Sequence, residues 1–90
     1  MDSDTSHLDG NAAAGLLEEV FPFDMTTAQA ICAGCNTMEP VGAHTAYINC
    51  PGLVIRCLHC QSVLIRVVHG PGCYWLDVSG VSCLRIFERP

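Results

Sequence analysis

Apolar positions first recur at spacings of three and four residues in "LDGNAAAGLLEEVF", where Ala13, Leu16, Leu17, Val20 and Phe21 fall on one helical face. The pattern predicts a short amphipathic helix over about residues 9–21, with Asp9 or Asn11 able to cap its start. Gly15 weakens it by roughly 1 kcal/mol relative to alanine, and Pro22 ends it. The polar, acidic residues 1–8 are expected to be disordered. Beyond Pro22 the helical period gives way to short β-branched and aromatic runs: "TTAQAI", "AHTAYI", "LVIR", "SVLIRVV", "CYWLDV" and "SCLRIF". "NCPG", "HGPG" and "SG" supply the turns between them. The expectation is a single domain over residues 9–90, mostly β: one N-terminal helix followed by about five or six short antiparallel strands.

Ninety residues lie near the size where an apolar core alone is marginal and a metal or disulfides commonly help. Half the chain is apolar and 14% is charged, the composition of a globular rather than a disordered protein. The longest apolar stretch is interrupted by Arg66, so no segment is expected to cross a membrane. The N-terminus has neither a basic region nor an apolar core of signal-peptide type. The expected location is therefore the reducing cytoplasm, where thiols persist.

Seven cysteines cannot all pair with one another, which shifts their reading from disulfides towards metal. Four of them, Cys32, Cys35, Cys57 and Cys60, form the pattern C-x2-C-x21-C-x2-C. Two intervening residues let a tight turn aim both sulfurs at one point while main-chain N–H groups donate to the thiolates. The gap between the pairs exceeds the usual interval of about 15–20 residues. The extra length only extends the segment joining the turns. Four buried reduced cysteines remain the bland alternative. A thioredoxin-like couple at "CLHC" needs a helix after its first cysteine, and "QSVLIRVV" is strand-like. A zinc deaminase needs an H-x-E signature, which the sequence lacks. Cys50 lies in a turn. Cys73 and Cys83 are expected as small buried hydrophobes. His59 is expected to face solvent, Arg56 and Arg66 to lie on solvated strand faces, and His44 and His69 to substitute as ligands only if one cysteine pair is misread.

Charge narrows the partners. The chain has no lysine, four arginines against nine carboxylates, and a formal charge of −5. Four thiolates with one divalent cation add −2, for about −7 when loaded. Nucleic-acid affinity rests on cations that displace counterions from phosphates, so direct nucleic-acid binding is not expected. The same holds for an anionic membrane surface.

Residues 27–68 resemble a zinc ribbon or rubredoxin-like domain, in which two C-x2-C turns clamp one metal. The resemblance implies Zn2+, or Fe as the alternative, held by Cys32, Cys35, Cys57 and Cys60. In that family a glycine commonly follows the second cysteine of each turn, because the backbone there takes positive φ. Here Asn36 and Gln61 stand in its place. Asparagine accepts that conformation well and glutamine less readily. The whole chain is also similar to a small bacterial family of unknown function, through "LDGNAAAGLLEEVF", "DMTTA", the paired cysteines and a closing "W-L-D" strand. That resemblance implies a stand-alone accessory protein, not an enzyme, with a flavin- or molybdenum-dependent oxidoreductase as its expected protein partner. Two functions follow: a metal-stabilised protein-binding module, or a rubredoxin-like iron electron carrier. Tyr74 and Trp75 point to opposite faces of one strand, one suited to the core and the other to an interface. Oligomeric state is left open by the sequence.

Overall fold

The computed structural model describes residues 7–9, 14–22, 24–49 and 52–88. Among the described residues are two antiparallel sheets and one short helix, in the order β1 (His7–Asp9), α1 (Ala14–Val20), β2 (Gln29–Cys32), β3 (Met38–Pro40), β4 (Thr45–Asn49), β5 (Gly52–Arg56), β6 (Val63–Gly70), β7 (Cys73–Asp77) and β8 (Val81–Arg85). The larger sheet has the order β1-β4-β5-β6-β7, and the smaller has the order β3-β2-β8. This is the mostly-β architecture that the alternating runs predict.

Each expected run becomes a strand for the expected reason. In the larger sheet, parity sends Ala46, Leu53, Ile55, Ile65 and Val67 to one face, and all five are buried. Rows of Tyr47, Val54, Arg66 and Asp77, and of Gly52, Val68 and Trp75, occupy the other face, where none is buried. α1 adds Leu17 to the core, with Leu16, Val20 and Phe21 packed beside it. It ends where Phe21 N–H bonds Leu17 O (2.8 Å), just ahead of Pro22. Asp24 then caps a 3-10 turn over Met25–Thr27 through Thr26 N–H (3.0 Å), which drives Met25 into the core. Among the described residues the largest fully buried side chains include Leu17, Met25, Leu53, Ile55, Leu64 and Ile65, with no Phe, Tyr or Trp. Such a core is thin for two sheets.

The ends of the chain differ from the sequence expectation. His7 and Leu8, expected in a disordered N-terminus, are in β1, and so is Asp9, expected at the start of the helix. β1 pairs with β4 through His7↔Tyr47 and Asp9↔Thr45. Main-chain pairing on an open sheet edge needs no local sequence preference, so no pattern in three residues announces it. Asn11 and Ala13 lie outside the described residues. β3 is similarly short and is held by pairing with β2. Eight strands are present among the described residues, where about five or six are expected.

Cys73 and Cys83 are both exposed, not buried. Parity is the reason. Cys73 shares the outward face with Trp75, which is 68% exposed, while Tyr74 points inward and bonds Glu19 Oε1 of α1 (2.6 Å). Cys83 is opposite Ile31, whereas its neighbour Leu84 is opposite the buried Ala30. A one-residue difference in register decides the face. Cys50 lies outside the described residues. No helix among the described residues is long and apolar enough to cross a membrane.

The sheets exchange strands at the turn between β7 and β8, where β7 stays with β6 and β8 crosses to β2. Gly80 makes this crossing possible. A Cβ there would collide with the Val63 carbonyl and sit 2.8 Å from Leu64 Cα. Gly15 is the opposite case, since a Cβ there would meet nothing within 4 Å. Gly80→Ala is therefore expected to lose roughly 2 kcal/mol or more of stability through overpacking. Gly15→Ala should add about 0.5–1 kcal/mol through helix propensity. Urea midpoints of the two variants should shift in opposite directions.

Candidate metal centre

The two cysteine pairs occupy two turns of nearly equal construction. The first, "CAGCNT", joins β2 to β3 in the smaller sheet, and the second, "CLHCQS", joins β5 to β6 in the larger. In the first turn Cys32 N–H donates to Thr37 O (3.0 Å) and Asn36 N–H to Cys32 O (2.8 Å). In the second, Cys57 N–H donates to Ser62 O (2.8 Å) and Gln61 N–H to Cys57 O (2.9 Å). Closing either loop requires positive φ at the residue after the second cysteine. Asn36 takes φ +68° and Gln61 φ +69°. Glutamine thus adopts the conformation that a glycine would take more easily, and the two closing hydrogen bonds hold it there. Arg56 adds a third restraint, donating to Gln61 O at 2.9 Å. A register irregularity also precedes each turn, between Ile31 and Cys32 and between Ile55 and Arg56. It bends each strand towards its cysteine.

Sulfur geometry follows from this local match. Cys32 Sγ lies 3.6 Å from Cys60 Sγ, and Cys35 Sγ lies 3.6 Å from Cys57 Sγ. All four sulfurs fall within 4.8 Å of one another. A tetrahedral ion bonded to sulfur at ~2.3 Å needs S···S edges of about 3.8 Å. The four cysteines are thus close enough together to hold a metal ion. Cys32 and Cys57 are buried, Cys35 is half-buried, and Cys60 is exposed. The centre sits at the surface with one side open.

Donors surround the sulfurs in matching positions. Gly34 N–H donates to Cys32 Sγ (3.3 Å) and His59 N–H to Cys57 Sγ (3.4 Å). The Thr37 and Ser62 hydroxyls lie 3.1 and 3.2 Å from the sulfurs of Cys35 and Cys60. A metal-bound thiolate can only accept, so both hydroxyls would donate in the loaded state. The Ser62 hydroxyl, followed by the Ser62 main chain, lowers the Cys60 thiol to about 6. The Thr37 hydroxyl and main chain likewise lower Cys35. At Cys32 the Cys35 main chain is the largest influence and lowers the thiol. Burial and the neighbouring Cys60 and Cys35 thiols outweigh it, and Cys32 is raised. Two thiolates 3.6 Å apart repel by roughly 5 kcal/mol at an effective dielectric of about 20. Four such charges cannot coexist here without a cation between them.

Other residues singled out in the sequence take different places. His59 meets Glu39 Oε2 at 2.8 Å, so its ring ties the second turn to the strand leaving the first. Arg56 lies 5.8 Å over the Tyr47 ring and braces Gln61. Arg66 is exposed and opposite Asp77, whose carboxyl is lowered chiefly by the Ser79 side chain and main chain and further by Arg66. His69 stacks on Tyr74 with centroids 4.3 Å apart. His44 is not a ligand. It is fully buried, and its Nδ1 accepts from Leu58 N–H at 3.2 Å. Its Nε2 has no hydrogen-bond partner among the described residues, a deficit of about 1–3 kcal/mol for a buried donor. Burial, the largest influence, lowers its basicity, and His59 adds to this. The carboxylate and main chain of Glu39 oppose it. Sequence reasoning missed Thr37 and Ser62, although the six-residue self-similarity C-x-x-C-[NQ]-[ST] carries them.

The chain belongs to a family of unknown function (DUF6510), whose model matches residues 4–89. No curated protein and no solved structure matches it.

In the metal-free protein, Cys60 should be the first thiol alkylated by iodoacetamide. Its rate should rise through pH ~6 as the thiolate forms and level off above it. An ordinary thiol continues to rise beyond pH 8. Mass spectrometry across pH 5–9 reads the profile, and a bound metal should abolish the reaction. Replacing both donors (Thr37→Val with Ser62→Ala) should speed metal loss to a chelator about tenfold.

Proposed function

We propose that this protein is a non-enzymatic zinc-ribbon accessory module, in which Cys32, Cys35, Cys57 and Cys60 bind Zn2+ and the metal-stabilised fold presents a protein-binding surface. The observation that carries this reading is the convergence of two equivalent turns, one from each sheet, on a point with all four sulfurs within 4.8 Å. Four protein ligands saturate a tetrahedral ion and leave no position for water or substrate, which suits a structural site rather than a catalytic one. Apparent binding energies of about 10–16 kcal/mol for structural zinc would compensate for the thin core. The uncovered face of the larger sheet, with Trp75 at 68% exposure beside Val68 and Arg66, supports a protein-binding role. A net charge of −5 argues for a protein partner over nucleic acid. The partner class is an oxidoreductase, and the compartment is the cytoplasm.

A second reading has its own support. Cys60 is exposed, and hydroxyl donors lie beside both Cys35 and Cys60. A solvent-facing thiolate offers a short path for an electron, and hydrogen bonds to sulfur tune the potential of a bound iron. In this reading the same four cysteines hold Fe, and the protein carries electrons for its oxidoreductase.

Elemental analysis and a visible spectrum of the untagged protein, from cells supplied with both metals, separate the two. One zinc per chain and no colour is the expected outcome. One iron with a red thiolate-to-iron band would favour the electron carrier. A zinc result is completed by iron reconstitution, because overexpression can load zinc into an iron site. A folded protein without metal would overturn both readings.

A further inference from the structure

In each turn the N–H of the residue after the first cysteine donates outside the turn. In the first turn this is Ala33, whose N–H donates to Gly80 O at 2.9 Å. In the second it is Leu58, whose N–H donates to His44 Nδ1 at 3.2 Å. Equivalent positions in the two halves of the site are therefore anchored to the body of the protein, one by a main-chain carbonyl and the other by an imidazole. Gly80 belongs to the crossing between β7 and β8, and His44 directly precedes β4.

The choice of histidine at position 44 is informative. Nδ1 can accept from Leu58 only while it carries a lone pair, which fixes the neutral ring with its proton on Nε2. That Nε2–H is buried without a partner among the described residues. Leucine would fill the space without an Nε2–H of its own to bury, so filling space does not account for a histidine. What the imidazole offers, and an apolar side chain does not, is the acceptor aimed at Leu58. Leu58 lies between Cys57, whose sulfur is a ligand, and His59, whose N–H donates to that sulfur at 3.4 Å.

We propose that His44 is a positioning residue of the metal centre, its Nδ1 holding Leu58 N–H so that the second turn keeps the Cys57 sulfur and the His59 N–H aimed at the metal. This rests on the metal reading above. Without the acceptor, Leu58 N–H loses its partner and the second turn loses this anchor, which frees the Cys57 sulfur to move.

The test uses the full chain loaded with zinc, and with cobalt as a spectroscopic probe. His44→Leu removes the acceptor at similar volume. His44→Asn returns one, since Oδ1 occupies the place of Nδ1. The expected result is a His44→Leu protein that loses zinc to a chelator about 10–100-fold faster and shows a shifted cobalt–thiolate spectrum, with His44→Asn restoring most of both. In the wild type, 15N spectra should show His44 protonated on Nε2, with scalar coupling from Leu58 N–H to Nδ1. This measurement decides the matter if His44→Leu fails to fold. Metal retention and cobalt spectra unchanged in His44→Leu, or a proton on Nδ1, would overturn the proposal. A wild-type chain that binds neither metal overturns the metal reading and the proposal with it. Loaded variants indifferent to position 44 overturn only the role of His44.

Discussion

The convergence of four sulfurs on one point is the constraint that the meeting of the two sheets has to satisfy. Two of them come from the smaller sheet and two from the larger, and they meet where each sheet's strands turn back. The buried apolar groups between the sheets are mid-sized, with no aromatic among the largest. A cation between the thiolates would convert the strongest local repulsion into attraction, and would do so at the junction of the sheets. Other connections support the same junction: the crossing at Gly80, the Ala33–Gly80 and Leu58–His44 hydrogen bonds, and the His59–Glu39 contact.

Local symmetry and global asymmetry coexist in this site. Six residues in each turn repeat the same main-chain hydrogen bonds, the same positive φ and the same hydroxyl beside the outer sulfur. The surroundings do not repeat. Cys35 is half-buried and Cys60 exposed, and a carbonyl anchors one turn where a histidine anchors the other. The consequence is a sulfur cluster with a protected side and an open side, and the open side is formed by the turn that leads into the longest described strand, β6. The strands on either side of the second turn also carry the uncovered face of the larger sheet. A partner on that face would therefore sit close to the metal's supports.

The strongest signals in the sequence were those with their own local cause. The β-branched runs "LVIR" and "SVLIRVV" located β5 and β6. Paired cysteines at fixed spacing located the turns, and Asn36 marked the first as a place of positive φ. Weaker inferences failed where the cause was not local. Cys73 and Cys83 sit in strands, as their neighbours suggest, yet both face outward, because which parity is buried depends on strands elsewhere in the chain. Residues 7–9 form a strand only because the edge of β4 is free to pair with them. His44 gave no local sign of its role, since its partner is fourteen residues away.

By itself, then, the sequence determined the longer strands, the class of fold and the four cysteines as one set, because hydrophobic period, turn chemistry and C-x2-C geometry act over a few residues. Tertiary structure alone decided that each cysteine pair belongs to a different sheet, that Cys60 is the exposed sulfur, and that His44 and Gly80 anchor the two turns. Those facts depend on which strand edges pair and in what register, and a single register step exchanges buried for exposed. The chemistry was written in short motifs, while its placement emerged only when distant segments met.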